Sequence, residues 1–145
     1  MNKGETIALV SCVKSKVAGP CAARDLYTSA LFKKMRTYAE QHADRWFILS
    51  AKYGLVAPRR RLTSYERTLR QATENERREW AQWVFSQMAE AGLLQSGTTI
   101  LWLAGSDYKK HLAKLLHGHV RRQSDPLAGM KIGKRLAWLT SRPQK

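Results

Sequence analysis

Three near-continuous apolar runs stand out along the chain, and each ends at a small or polar turn. They cover residues 6 to 11, 46 to 50 and 98 to 104. Apolar runs of this length without alternation are typical of strands buried on both faces, as in a parallel sheet covered by helices. A weaker run around residues 119 to 123 predicts a fourth strand.

Between these runs the apolar residues repeat at helical spacing. Ser29 is expected to cap a crossover helix, and Thr73 with Glu76 satisfies the capping-box pattern at the start of another. A short helix is expected after Asp107, which is favoured as its cap. The last helix begins near Ile132 and is basic and amphipathic.

Strands and helices thus alternate about four times, without repeats or an internal linker, so residues 1–145 are expected to form a single α/β domain. Right-handed crossovers predict a three-layer sandwich whose four-stranded, mostly parallel sheet has the order 2-1-3-4. In this order the carboxyl ends of strands one and three lie at a switch point, where open α/β sheets bind ligands. Trp80 and Trp83 are expected in the core, the alternative being that they serve as stacking platforms.

Polar side chains follow the first two predicted strands. Ser50, Lys52 and Tyr53 come directly after the second, and Lys14 and Lys16 follow the first. Because both strand ends lie at one edge of the sheet, the first interpretation is a ligand site with phosphate-binding lysines. The alternative is an ordinary solvated turn after each strand.

The charge balance indicates the class of partner. A net charge of +15, from 26 Lys and Arg against 11 Asp and Glu, predicts a polyanion such as nucleic acid. The alternative is surface charge that only maintains solubility. The residues expected to contact phosphates or DNA are Lys14, Lys16, Arg59, Arg60, Arg61, Leu127, Met130, Lys131, Lys134 and Arg135.

Other features exclude classes of protein. No apolar run approaches the ~18 residues of a membrane span, and the first apolar stretch is too short for a secretory signal, so a cytoplasmic protein is expected. Cys12 and Cys21 lack disulfide or zinc spacing, and the four histidines show no metal spacing, so neither a metal nor a cofactor is expected. Cys12 is either a nucleophile whose thiol pKa is lowered by nearby lysines or a small buried residue. No obligate protein partner is evident.

Several motifs resemble a family of small bacterial and phage proteins labelled as a domain of unknown function. They are Ser11-Cys12-x-Lys14-x-Lys16, Asp25-Leu-Tyr-x-Ser29-x-Leu-Phe32, Ser50-Ala-Lys-Tyr-Gly-Leu55 and Gly129-x-x-Ile-Gly133. More remotely, Tyr53-Gly-Leu-Val-x-Pro58, followed by Leu62 and Ser64-Tyr65, is similar to a stretch of the bacterial peroxide-stress proteins that bind DNA, which have Pro where this chain has Ser64. The pattern of Cys12, Tyr27 and Ser29 is also similar to the core of archaeosine synthase, which acts on a deazaguanine in tRNA.

The alternating architecture also resembles the uracil-DNA glycosylase superfamily. In that superfamily the loop after the first strand supplies an Asp followed by Pro-Tyr, to which Asp25-Leu26-Tyr27 corresponds here without the Pro. Gln123-Ser-Asp-Pro-Leu127 corresponds to a loop that drives a wedge into the duplex, but it lacks that loop's His. The resemblance implies a DNA glycosylase, as in antiphage enzymes that remove glucosylated hydroxymethylcytosine, with double-stranded DNA as the partner.

On this hypothesis a base is extruded from the duplex, and Leu127 or Met130 is expected to fill the gap as an apolar wedge. The alternative for either residue is an anchor within a turn. The expected base pocket consists of Cys12, Tyr27, Ser50, Lys52 and Tyr53, with Tyr27 or Tyr53 stacking on the base.

Asp25 and Glu66 are the expected catalytic carboxylates, ahead of Asp107 and Asp125. Salt bridges with the abundant arginines are the alternative for each of them, and a Schiff base formed by Lys52 stays open as a different mechanism. Two rival functions also remain. One is a noncatalytic DNA-binding protein, and the other is an enzyme that acts on a free nucleotide or a tRNA base.

Overall fold

The computed structural model describes residues 4–11, 17–65 and 68–141. Its strands are β1 (Thr6–Ser11), β2 (Cys21–Ala22), β3 (Arg45–Ser50), β4 (Gly54–Val56), β5 (Arg61–Leu62), β6 (Thr99–Leu103) and β7 (Arg122–Ser124). Its helices are α1 (Ala23–Leu26), α2 (Ala30–His42), α3 (Glu74–Glu90), α4 (Ser106–Leu116) and α5 (Ile132–Thr140). A single 3-10 turn, Leu69–Gln71, precedes α3.

The main sheet has five strands in the order β4-β3-β1-β6-β7. β1 pairs in parallel with both β3 and β6, so that Leu9 lies opposite Phe47 on one side and Trp102 on the other. β7 is parallel to β6, whereas β4 is antiparallel to β3. The central strand therefore starts a crossover to one side of the sheet, and the chain later returns to the other side, which creates the switch point at its carboxyl end.

Helices cover both faces of this sheet. α2 packs against α5, and α3 packs against α4. Right-handed crossovers place these two pairs on opposite faces, because the chain moves in opposite directions across the sheet from β1 to β3 and from β6 to β7. The apolar runs in β1 and β6 are consequently buried on both sides, as the absence of alternation in their sequence predicted.

The expected α/β architecture is confirmed, but the sheet differs from the predicted four-stranded order 2-1-3-4. After β3 the chain reverses at Gly54 and adds β4 as an antiparallel fifth strand at the edge. Gly54 has a φ of 73°, which glycine adopts without steric cost. Three residues, Gly54–Val56, are too short a run for periodicity to separate a strand from a loop. β2 and β5 form a second, two-stranded antiparallel sheet.

Two of the predicted helix caps are confirmed. Ser29 Oγ accepts the backbone N–H of Phe32, and Thr73 forms the full capping box with Glu76. The expected cap at Asp107 is wrong, because α4 begins at Ser106 and Gly105 is its N-cap residue.

The two tryptophans of α3 differ in burial. Trp80 is buried as expected, but Trp83 is 43% exposed, so its predicted core position is wrong. A shift of three positions along a helix rotates a side chain by about 300°, and that rotation is enough here to move Trp83 from the sheet toward solvent.

No helix in the described part of the chain has both the length and the apolar character needed to cross a bilayer.

Candidate functional site at the carboxyl edge of the sheet

A chain of three hydroxyl groups lies at the carboxyl end of β3, beside the end of β1. Ser50 Oγ donates to the Tyr65 hydroxyl over 2.8 Å, and the Tyr65 and Tyr27 hydroxyls are 2.5 Å apart. Ser50 Oγ also accepts the backbone N–H groups of Lys52 and Tyr53. Because two N–H groups occupy the acceptor sites of Ser50, its single proton points to Tyr65, which fixes the position of that ring.

Burial changes the roles expected for two of the predicted pocket residues. Ser50 is 0% and Tyr27 is 1% exposed, so neither touches a ligand in this conformation. The Tyr27 ring packs between Phe32 and Tyr65, with centroids 5.0 and 6.4 Å away, so the expected stacking of Tyr27 on a base is wrong for this conformation. Both residues instead hold Tyr65 through hydrogen bonds. Tyr65 is not among the predicted site residues, because it does not directly follow an apolar strand.

Tyr53 and two cations form the exposed part of this edge. Lys52 Nζ lies 5.2 Å and Arg60 Cζ lies 4.9 Å from the centroid of the half-buried Tyr53 ring. A third contact comes from Tyr65, whose ring meets Tyr53 edge-on at 5.5 Å. Neither cation is ion-paired within residues 4–11, 17–65 and 68–141. We call the set of Tyr27, Ser50, Lys52, Tyr53, Arg60 and Tyr65 the carboxyl-edge site.

Helix α3 holds the turn that carries Lys52 and Tyr53. Trp80 Nε1 donates to the Ser50 carbonyl over 2.9 Å. About two helical turns after Trp80, the Gln87 side chain makes two hydrogen bonds to the backbone of the turn. Gln87 Oε1 accepts the N–H of Leu55 at 2.8 Å, and Gln87 Nε2 donates to the carbonyl of Tyr53 at 3.3 Å. The only sequence signal for Gln87 is its spacing of seven residues from Trp80, which places both side chains on one face of the helix.

Space around Gly54 is as restricted as its backbone conformation. A Cβ atom there would clash with Gln87 Oε1 and would lie 3.1 Å from a ring carbon of Trp83. Glycine therefore allows α3 to approach the turn closely, in addition to allowing the reversal of the chain.

Other side chains reach the same edge from β1 and α5. Ser11, at the end of β1, accepts the N–H of Gly105 at 3.2 Å. Arg135 donates to the carbonyl of Ala104, which follows β6, over 3.3 Å, and to the carbonyl of Met130 over 2.8 Å. Arg135 is thus committed to the protein backbone, so its expected phosphate contact would require these bonds to break.

The described carboxylates near the edge are ion-paired. Asp25 contacts Arg36 at 3.1 Å and Arg24 at 3.7 Å, and its side chain is 54% exposed. The runners-up are paired as well: Asp107 with Arg77 at 3.5 Å, and Asp125 with Lys109 at 2.6 Å. This arrangement matches the salt-bridge alternative for each. Glu66 lies outside the described residues.

The predicted DNA contacts other than Arg135 divide into three groups. Lys14 and Lys16, like the predicted pocket residue Cys12, lie outside the described residues. Exposed cations that are not ion-paired in the described part of the chain are Arg59, Arg60, Arg61, Lys131 and Lys134. Leu127 is 0% exposed and belongs to the core, so its expected position as an apolar wedge is wrong, while Met130 is half-buried.

A shallow groove lies at the other end of the sheet. Its volume is about 410 Å³, and its lining consists of His117, Gly118, Val120, Arg121, Arg122 and Gln123. Arg122 begins β7 beside Thr99, the first residue of β6, which places the groove at the amino ends of the strands. The carboxyl edge differs from this groove because side chains from several separate segments of the chain converge there.

No three His, Cys, Asp or Glu side chains of the described ranges could hold a metal ion together.

Comparison with known proteins identifies a family. A family model described as a family of unknown function (DUF6884) matches residues 7–141. The chain is also 36% identical over 58 residues to the uncharacterized protein YfjM of Bacillus subtilis (strain 168), a match that covers 36% of this chain and 39% of that protein. No solved structure matches the chain. The resemblance to the uracil-DNA glycosylase superfamily therefore has no support from a structural neighbour.

Proposed function

We propose that this chain, which belongs to the DUF6884 family of unknown function, is a DNA glycosylase that acts on a modified base at the carboxyl-edge site. The observation that carries the proposal is the arrangement around Tyr53. Two cations that have no acidic partner in the described part of the chain lie over one aromatic ring, beside a chain of buried hydroxyls at the carboxyl end of β3.

The cations provide the binding part of the proposal. Lys52 and Arg60 attract the phosphates that flank an extruded nucleotide, and Arg59 and Arg61 extend the positive surface along the chain. A base stacks on the Tyr53 ring when a cation that lies over it moves to a flanking phosphate, and any base can do so because every base has a π face. Since the net charge is +15, nonspecific attraction brings DNA to this edge before a base is recognised.

The reaction requires a carboxylate besides these residues. Water adds its oxygen to C1′ of the sugar while the bond from C1′ to the base nitrogen breaks, and the base leaves with a proton. The sugar becomes cationic on the way, so a carboxylate stabilises it or takes the proton from water. We assign this role to Glu66 in preference to Asp25, because Asp25 is held by two arginines.

The proposed substrate is double-stranded phage DNA that contains modified cytosine, such as glucosylated 5-hydroxymethylcytosine. The resemblance to antiphage glycosylases supports this choice. The proposed setting is defence against phages in the cytoplasm.

The test is incubation of the protein with phage DNA that carries either normal or modified cytosines, followed by alkali. Strand scission confined to the modified DNA supports the glycosylase. Glu66→Gln is expected to reduce the rate by about 10²- to 10⁴-fold, the usual contribution of a general acid or base. Asp25→Asn serves as the matched carboxylate variant, and an equal loss in both variants would contradict the preference for Glu66.

A noncatalytic DNA-binding protein is the second candidate, favoured by the ion pairs of Asp25, Asp107 and Asp125. It requires no carboxylate and predicts tight, salt-dependent binding without abasic product from any DNA. Direct measurement of the released base, after incubation with nucleotides or tRNA and without alkali, tests the remaining alternative. Release of a base only from those substrates would exclude both DNA functions.

A further inference from the structure

The exposed ring of Trp83 is unusual for its helix. The other large apolar residues on the inner face of α3, Trp80, Val84 and Met88, are buried, whereas Trp83 is 43% exposed. Exposure of so large an aromatic side chain leaves apolar area in water that burial would stabilise. Such a ring is often found where a partner covers it, and its surroundings indicate the chemistry of that partner.

Trp83 lies directly on the turn of the carboxyl-edge site. Its ring carbon Cζ3 is placed against Gly54, so near that a Cβ atom on that glycine would be only 3.1 Å away. Gln87, one turn further along α3, bonds to the backbone on both sides of the same glycine. The rings of Trp83 and Tyr53 therefore flank one rigid turn, and the cations Lys52 and Arg60 lie over Tyr53.

We propose that Trp83 is a stacking platform for unpaired bases of single-stranded DNA, whose phosphates bind Lys52 and Arg60 at the adjoining turn. The inference rests on the proposed function because it uses the same turn. It adds a contact with unpaired bases of the strand on either side of the reacting nucleotide. Single-strand binding surfaces combine a cationic path for the backbone with aromatic rings on which successive bases stack. Both components are present at this turn.

The neighbours of Trp83 favour this partner over a protein. The exposed residues beside it on α3 are Glu79, Gln82 and Ser86, which are polar. Protein docking surfaces usually present a contiguous apolar centre, and a lone ring in a polar setting lacks one. A base needs only a single π face with a cation near its phosphate. Glu79, one turn before Trp83, is the one nearby carboxylate on this helix that repels phosphate, so Glu79→Gln should tighten binding by a small factor.

The test is a fluorescence titration of the full chain with two single strands of roughly 12 nucleotides, within the range of known site sizes. One is oligothymidylate, and the other has the same phosphates with abasic sugars. A base that stacks on Trp83 quenches its emission, whereas phosphate alone does not. The variants are Trp83→Ala, Trp83→Phe and, as the matched exposed neighbour on α3, Gln82→Ala.

The expected result is that Trp83→Ala weakens oligothymidylate binding by about 5- to 150-fold, the range for one stacked base. Trp83→Phe should retain most of the affinity, and Gln82→Ala should bind as the parent chain does. Binding of the abasic strand should be the same in all variants. Unchanged affinity of Trp83→Ala for oligothymidylate, or equal quenching by the abasic strand, would overturn the platform.

The outcome is separable from that of the glycosylase assay. If no DNA yields abasic sites but Trp83→Ala still loses base-dependent binding, the platform stands and the catalytic proposal fails. If abasic sites form at the same rate in Trp83→Ala and in the parent chain, and oligothymidylate binding is also unchanged, the platform fails while the enzyme stands.

Discussion

Two groups of charged side chains lie near the carboxyl end of the sheet, and they differ in whether each cation has an acidic partner. In the carboxyl-edge site, Lys52 and Arg60 lie over an aromatic ring and have no ion pair within the described ranges. In the second group, which we call the α3–α4 junction, Glu74, Arg77, Asp107, Lys110 and His111 pair with one another across two helices.

The geometry of the junction is that of a structural contact. Arg77 contacts Asp107 at 3.5 Å and also donates to the carbonyls of Leu69 and Arg70. Glu74 contacts His111 at 2.5 Å and Lys110 at 3.5 Å. The comparison teaches that residue type alone does not distinguish a binding cation from a structural one. What distinguishes them is whether a carboxylate already neutralises the charge.

The largest expected effect comes from breaking the turn on which the carboxyl-edge site depends. Gly54→Ala should destabilise the fold by about 2–4 kcal/mol, since it adds left-handed strain to the loss of the Gln87 hydrogen bonds. Gly92→Ala is the matched control, because Gly92 has a φ of 74° with nothing near its Cβ position. Chemical denaturation measures both variants. Equal destabilisation would mean that the contact with α3 contributes nothing.

The buried hydroxyl chain should give the next largest effect. Tyr65→Phe leaves the Ser50 proton and the Tyr27 hydroxyl without their shared partner, which should cost about 1–3 kcal/mol of unfolding free energy. Tyr38→Phe is the control, because the Tyr38 ring packs against His42 and Trp138 while its hydroxyl makes no hydrogen bond within the described residues. Equal stability of the two variants in urea would contradict the ordering of Tyr65 by this chain.

Lys52 and Lys110 test the comparison itself, since both are exposed lysines near one end of the sheet. Lys52→Ala should weaken DNA binding about fivefold at 0.15 M salt and reduce the slope of log affinity against log salt by about 1. Lys110→Ala should change neither quantity, because Glu74 already neutralises that charge. Titrations at several salt concentrations measure both, and equal losses would refute the distinction.

The smallest effect concerns pH. The hydrogen bond with His111 lowers the pKa of the Glu74 carboxyl below its ordinary value of 4.5, and the charge of Lys110 acts in the same direction. A lowered pKa means that the stabilisation is complete above pH 4.5 and is lost as the pH falls through the lowered value. The melting temperature of the parent chain should therefore exceed that of Glu74→Gln at pH 6, and the difference should shrink as the pH falls below 4.5.

Glu79→Gln is the control for this pH dependence, because Glu79 is on the same helix and has no ion pair within the described part of the chain. Its melting temperature relative to the parent chain should vary little between pH 6 and pH 3. A difference for Glu74→Gln that persists unchanged at pH 3 would show that the ion pair is not its cause.

The parts of the fold that could be predicted from the sequence are those marked by long apolar runs or by helix-capping residues. The apolar runs at β1, β3 and β6 and the caps at Ser29 and Thr73 rest on interactions within a few residues, so they could be predicted. β4 and β5 could not, because strands of two or three residues are defined by pairing with distant segments. The exposure of Trp83 could not be predicted, because three positions after the buried Trp80 its side chain points in a different direction around α3, and the sequence does not show which direction faces the sheet.

Less of the site could be predicted. Polar residues directly after an apolar run predict the turn after β3. Lys52 and Tyr53 lie in that turn in the structure. Tyr65 and Gln87 act across 15 and 32 residues of chain, to Ser50 and Leu55, and no spacing in the sequence reveals such contacts. The buried state of Leu127 was also hidden, because a single leucine after a proline is equally compatible with an exposed tip and an anchored turn.

Gln87 has a consequence for how copies of the protein behave side by side. Its carboxamide both accepts from and donates to the backbone around β4, as a neighbouring strand would. The outer margin of the sheet is thereby partly closed to an extended segment from another molecule, the usual start of ordered aggregation. If the chain binds DNA as proposed, its copies are concentrated side by side along the polyanion, and a side chain that occupies the open edge then helps to keep them from pairing edge to edge.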